Sequence, residues 1–244
     1  ASFHPADRSR QFLLRPNRDS EFVLQNGRRA VAQSLPAREK APEIARTLVM
    51  ASSTYALVLV DFINPLAFAG GRRLAPAAIA AATASQRLKL RCGRARWPVV
   101  YANDNFGEWQ SDMRAVVGRC LASQNTSAVE LVERIGPTEN DLSVLKPRHS
   151  AFYGTPLDFI LEEKKVAGIV VAGIAADSCV MFTAMDAFVR GFKVWVPRDC
   201  VASETRERTR SALLQLRRAA KVWTGPSTTP LADARAQCTR LHAL

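Results

Sequence analysis

The chain is poor in the residues that build metal sites and covalent scaffolds. Its three histidines, His4, His149 and His242, lie far apart, and none stands near another or near an acidic pair at ligand spacing. That argues against a protein-built zinc or iron site, and no organic cofactor motif takes its place. The five cysteines, Cys92, Cys120, Cys179, Cys200 and Cys238, are odd in number, widely spaced and without a CxxC pair. Neither a disulfide framework nor a zinc knuckle follows, and a reducing cytoplasm is the expected compartment. No apolar run approaches the about 20 residues needed to cross a bilayer. Ala1 to Gln11 lacks the basic-then-apolar order of a secretory signal, and Asp7, Asp19, Glu21, Glu39 and Glu43 speak against an organelle leader. A soluble protein without a membrane partner is expected.

Negative charge is also scarce, leaving a net charge of +12. The excess of basic over acidic residues is 4 in residues 1–50, 3 in 51–200 and 5 in 201–244, so it gathers at the ends. It is arginine-heavy, has no interleaved aromatics of the RNA-binding kind, and shows no zinc-finger spacing. A solvated basic surface is expected rather than specific nucleic-acid binding.

A chain of 244 residues that is 48% hydrophobic can bury one large core. Residues 1–50 carry scattered arginines with Pro16, Pro36 and Pro42 and no sustained period, and read as a variable basic arm. From Ala56 the pattern becomes short, uninterrupted apolar runs alternating with helical stretches. Strands are expected at 56–62, 98–102, 166–174 and 192–196, and helices at 76–96, 156–165, 179–190 and 204–221. Continuous apolar strands separated by helices indicate a parallel sheet covered on both faces, a three-layer αβα sandwich. The domain is placed at 51–225, with 226–244 as a C-terminal tail.

In such sheets ligands sit beyond the carboxyl ends of the strands. That rule selects Asp61 after the first strand, Asn103 to Asn105 after the second, Lys146 after the apolar pair Val144-Leu145, and Cys179 after the 166–174 strand. The segment Gly173-Ile174-Ala175-Ala176-Asp177-Ser178-Cys179-Val180 passes from a buried strand into a helix whose apolar positions Val180, Ala184, Ala187 and Phe188 share one face. Asp177 or Ser178 is the expected cap. A thiol in a first helical turn meets the positive end of the helix dipole, which favours thiolate, and the free amides there can bind an oxyanion. A lysine next to a carboxylate at the mouth of the same sheet supplies a counter-ion and a proton acceptor.

Three segments, Leu57 to Asn64 (LVLVDFIN), Leu145 to Phe152 (LKPRHSAF) and Gly173 to Val180 (GIAADSCV), resemble the signature segments of isochorismatase-like cysteine hydrolases in order and separation. The resemblance covers about residues 54–204. It implies Asp61 as the carboxylate that takes the thiol proton, Lys146 as the cation that holds Asp61 and stabilises thiolate, and Cys179 as the nucleophile. It also implies a cis peptide between Ile174 and Ala175, an oxyanion hole from the amides of Ala175 and Cys179, and a homo-oligomer. The activity it implies is metal-independent hydrolysis of a C–N bond in a small amide, ureido or carbamoyl substrate through a thioester. The run Asn64 to Gly71 contains no histidine, which sets the chain apart from the metal-bearing nicotinamidase branch. Ala176 stands where that turn commonly has Thr. Two other readings stay open: a vinyl-ether hydrolase of the same fold, in which Cys179 would not matter, and a catalytically quiet binding protein that uses its basic ends.

Phe62, Asn64, Phe68, Asn105, Trp109, Phe152 and Tyr153 flank these segments and are candidates for an aromatic pocket with amide donors, although Phe62, Phe68 and Phe152 fit an ordinary core equally well. His149, three residues beyond Lys146, is read as a hydrogen-bonded structural residue in preference to one lining the mouth.

Overall fold

The computed structural model describes residues 54–243. The basic arm at 1–50 lies outside the described residues. Six strands form one sheet: β1 (Thr54–Val60), β2 (Val99–Asp104), β3 (Leu142–Lys146), β4 (Val166–Ile174), β5 (Lys193–Trp195) and β6 (Val201–Ala202). The order is β3-β2-β1-β4-β5, with β6 also pairing with β4, and each pair is parallel. Seven helices accompany it among the described residues: α1 (Gly71–Arg94), α2 (Met113–Leu121), α3 (Thr126–Ile135), α4 (Leu157–Glu163), α5 (Cys179–Val189), α6 (Arg206–Ala220) and α7 (Leu231–His242).

Alternation along the central strand explains the layers. Tyr55, Leu57 and Leu59 point into one core with residues of α1, α2, α3 and α7, while Ala56, Val58 and Val60 point into a second core with α4, α5 and α6. All six residues are buried, because both faces of the sheet are covered.

The three-layer α/β class is as the residue pattern indicates, and the differences are local. Helix α1 begins at Gly71 and carries Pro76 in its interior, where the sequence places its start. Two helices occupy 113–135, a stretch to which the residue pattern above assigns nothing. The segment 226–244, read as a tail, holds α7, whose Ala234 and Cys238 are buried in the first core. No helix among the described residues is long and apolar enough to cross a membrane.

Candidate active site

The parallel register brings the carboxyl ends of the strands together. Val60 lies beside Ala102 and Gly173, and Asp104 beside Lys146. Asp61 therefore follows β1 at the centre of the edge, Asp104 and Lys146 close β2 and β3 on one side, and the turn from β4 into α5 carries Cys179. Two backbone features allow so close a meeting. Asp61 has a positive φ of 53°, which turns the chain sharply out of the strand. Gly173 has φ 141°, and a Cβ there would sit 2.0 Å from the Val60 carbonyl oxygen.

Lys146 is the hub. Its side chain is fully buried, and its Nζ lies 2.8 Å from Asp61 Oδ2 and 3.9 Å from Asp104 Oδ2. The ammonium also donates to the Arg148 carbonyl at 3.3 Å and to Cys179 Sγ at 3.6 Å. The Asp104 amide donates to Asp61 Oδ1 at 2.7 Å, so both carboxylate oxygens of Asp61 are held. The peptide between Ile174 and Ala175 is cis.

Burial raises the Asp61 carboxyl above its ordinary range, against the opposing pull of Lys146 and hydrogen bonds from Cys179, Lys146 and the Asp104 amide. Burial works to discharge Lys146, but the charges of Asp61, Cys179 and Asp104 overcome it and its pKa is raised. Burial and the adjacent Asp61 carboxylate push the Cys179 thiol up to about 12, against Lys146. This corrects the expectation of a thiolate favoured by the helix dipole: next to a buried carboxylate the resting sulfur keeps its proton.

The N-cap of α5 falls on Ser178, one of the two expected residues, but without the side-chain bond. Asp177 turns away, accepting from Ser203 Oγ at 2.5 Å and from Arg208 Nε. The amides of Ala176, Asp177, Ser178 and Val180 are spent on Ala202 O, Ser203 Oγ and Ala175 O. Those of Ala175 and Cys179 have no protein acceptor among the described residues.

The other candidates are dispersed. Phe62 and Phe152 are core residues; Phe152 stacks on Phe192 and lies beneath the Arg190 guanidinium. Asn64 and Asn105 spend their side-chain carbonyls on their own loops, accepting from Leu66 N at 2.8 Å and Gly107 N at 3.0 Å. Phe68, Trp109 and Tyr153 are exposed. His149, set aside on sequence, is at the mouth: its Nδ1 lies 3.5 Å from Cys179 Sγ and 3.4 Å from Ser178 Oγ, and its ring stacks on Phe182 at 5.4 Å. With Arg148, Tyr153 and Phe182 it lines a cleft of about 560 Å³. Its position three residues after Lys146 is the only signal in the sequence, and it does not reveal the turn that swings the ring toward α5. Among the described residues no three His, Cys, Asp or Glu side chains gather as metal ligands.

The isochorismatase domain profile matches residues 55–227. An uncharacterised isochorismatase family protein of Bacillus subtilis is 35% identical over 167 residues, covering 68% of this chain and 91% of its own length. The maleamate amidohydrolase of Pseudomonas putida is 27% identical over 154 residues, covering 60% of this chain and 71% of its own. The crystal structure of N-carbamoylsarcosine amidase from Thermoplasma acidophilum superposes with a TM-score of 0.57 at 28% identity, covering 73% of this chain and 99% of that one. Fold, strand-end cluster and sequence agree: the chain belongs to the isochorismatase family, and it is a hydrolase.

Proposed function

We propose that the chain is a cysteine amidohydrolase that cleaves the C–N bond of a small amide, ureido or carbamoyl compound through a thioester on Cys179. The observation that carries this reading is the buried Lys146 ammonium placed 2.8 Å from Asp61 and 3.6 Å from Cys179 Sγ. Because the resting sulfur is a thiol, attack requires a base at the moment of reaction, and a carboxylate whose pKa is raised by burial is a better base than an ordinary one. Asp61 takes the thiol proton as Sγ adds to the carbonyl carbon. The amides of Ala175 and Cys179 hold the oxyanion, and Lys146 keeps Asp61 in place and offsets negative charge on sulfur. The C–N bond breaks as Asp61 returns the proton to the departing nitrogen. Water, deprotonated by Asp61, then adds to the thioester carbon; the acid is released and the proton goes back to sulfur.

Arg148 at the mouth suits a substrate with a carboxylate beyond the scissile bond. The relatives named for maleamate and N-carbamoylsarcosine support an amide-type substrate. The test is turnover against a panel of small amides, N-carbamoyl acids and ureido acids, with ammonia or amine release as the readout. Cys179→Ala should abolish turnover in a protein that keeps its melting temperature. Retained turnover in Cys179→Ala with loss in Asp61→Asn would instead mark chemistry that needs no nucleophilic sulfur.

A further inference from the structure

Away from the thiol, the facing sides of α1 and α6 form a groove of about 880 Å³, floored by Val201, Ala202 and Ser203. That volume lies within the roughly 300–1,000 Å³ of small-molecule sites. Its walls are apolar: Pro76, Ala77 and Ala80 from α1, and Leu213 and Leu214 from α6. Leu214 is left 42% exposed on the helix that buries Ala212 and Leu216. Around these walls stand Arg198, Arg206, Arg210 and Arg217, the last three repeating at helical spacing along α6.

The carboxylates that line the groove are committed elsewhere. Asp199 accepts from the Ser227 amide at 2.7 Å and the Ser227 hydroxyl at 2.6 Å. Glu204 lies 3.7 Å from Arg73 and 3.2 Å from Arg208. Arg198, Arg206, Arg210 and Arg217 thus have no carboxylate within ion-pair distance among the described residues. An apolar trough edged by four guanidinium groups, none of them in an ion pair among the described residues and only Arg206 beside a carboxylate, that of Glu207, matches one ligand chemistry: an apolar or aromatic body carrying a phosphate or similar anionic head, which guanidinium binds in bidentate fashion.

We propose that this groove is a second binding site, separate from the catalytic cleft, for an amphipathic organic anion. Its floor is tied to the nucleophile turn, since the Ala176 amide donates to Ala202 O at 2.8 Å and Ser203 Oγ donates to Asp177. A ligand seated there would rest on the strand that holds the segment leading into Cys179.

The probe is 1-naphthyl phosphate, titrated calorimetrically into the full chain, with inorganic phosphate and 1-naphthol as its separate halves. Saturable binding at one site per chain is expected, tighter than either half alone. Losing two charge-assisted contacts in the Arg210→Gln/Arg217→Gln double variant should weaken it by about tenfold or more. Both arginines are exposed, so an unchanged melting temperature checks that the variant is folded. In Arg148→Ala, at the catalytic mouth, binding should persist. The proposal is overturned if 1-naphthyl phosphate does not bind, if the double variant binds it as well as the wild type, if Arg148→Ala alone removes it, or if inorganic phosphate binds equally tightly. The readout is binding without turnover, so it stands apart from the proposed amidohydrolase activity.

Discussion

Two lysines among the described residues, Lys89 and Lys146, are buried against an aspartate less than 3 Å away, and only Lys146 also reaches a thiol. Lys89 Nζ is 2.6 Å from Asp141 Oδ2, as close as a buried pair can usefully be, and it donates to Tyr101 Oη at 2.9 Å and the Gly136 carbonyl at 3.4 Å. Asp141 also accepts from the Thr138 amide and hydroxyl at 2.6 and 2.8 Å, and Tyr101 Oη donates to Ile135 O at 2.7 Å. Each polar group there serves to close the end of α3 onto the sheet. Around Lys146 the partners differ: one is a thiol, Asp61 sits in a positive-φ turn, and two amides beside the sulfur have no protein acceptor among the described residues. A buried charge pair is therefore not a site by itself. What separates the two is a thiol among the lysine's partners and, beside it, amide donors with no protein acceptor among the described residues.

The sharpest way to break that contrast is to remove each centre in turn. Cys179→Ala should lower kcat by at least about 10³-fold, the scale of losing a nucleophile, with the melting temperature almost unmoved. Lys89→Met should do the reverse. It leaves Asp141 without its cation, so denaturant unfolding should show a loss of about 3–5 kcal/mol, while kcat of the folded fraction stays near wild type. Lys146→Met should show both losses at once. If Lys89→Met removed turnover with stability intact, the division between a structural and a reactive pair would be wrong.

The protonation state offers a finer test. Among the five cysteines only Cys179 is not buried, so it should be the first alkylated by iodoacetamide, as peptide mapping would read. With its thiol pushed up to about 12, the rate should keep climbing from pH 7 through pH 10; a plateau near neutrality would mean a thiolate at rest. Stability carries the same sign. The folded state holds the Cys179 proton above pH 9, where an unfolded thiol has lost it, so the unfolded chain binds fewer protons and stability falls as pH rises from 9 toward 12. Cys92, Cys200 and Cys238 are raised similarly by burial, so Cys179→Ala should make that decline shallower without removing it.

The strands and their carboxyl ends are the most legible part of the molecule, because an uninterrupted apolar run such as Val166 to Ile174 can be buried on both faces only inside a covered parallel sheet. Asp61, Lys146 and Cys179 are selectable from the residue pattern as polar groups at strand ends, whereas their separations depend on register and on the turns at Asp61 and Gly173. Lys89 is not legible: a basic residue in a long helix reads as solvated, and only the distant Asp141, on the loop before β3, explains its burial. The α1 start is hidden by Pro76, which reads as a first-turn proline but stands in the helix interior. The stripe of Ala128, Leu131, Val132 and Ile135 after Asn125 is a helix signal carried by the residues themselves. The thiol's proton cannot be read from a helix start, since the dipole is visible in sequence and the neighbouring buried carboxylate is not.

The smallest effect concerns where scaffold and mouth meet. Asn125 Oδ1 accepts from the Ser127 amide at 3.1 Å as the N-cap of α3, and its Nδ2 donates to the Pro65 carbonyl at 3.0 Å, in the loop that leaves Asp61. One side chain thus caps a helix of the structural layer and tethers a loop beside the catalytic edge. Asn125→Ala should cost about 1 kcal/mol by denaturant unfolding for the cap. The lost tether should raise KM while kcat stays close to wild type, because Asp61 keeps its own bonds to Lys146 and the Asp104 amide. Asn125→Asp, which retains the capping oxygen but cannot donate to Pro65 O, should recover the stability and keep the KM defect. If Asn125→Asp restored both, the tether would have no part in shaping the mouth, and the loop after Asp61 would be held by its own Asn64 turn and by the Asn103 side chain, which donates to the Ile63 carbonyl at 2.6 Å.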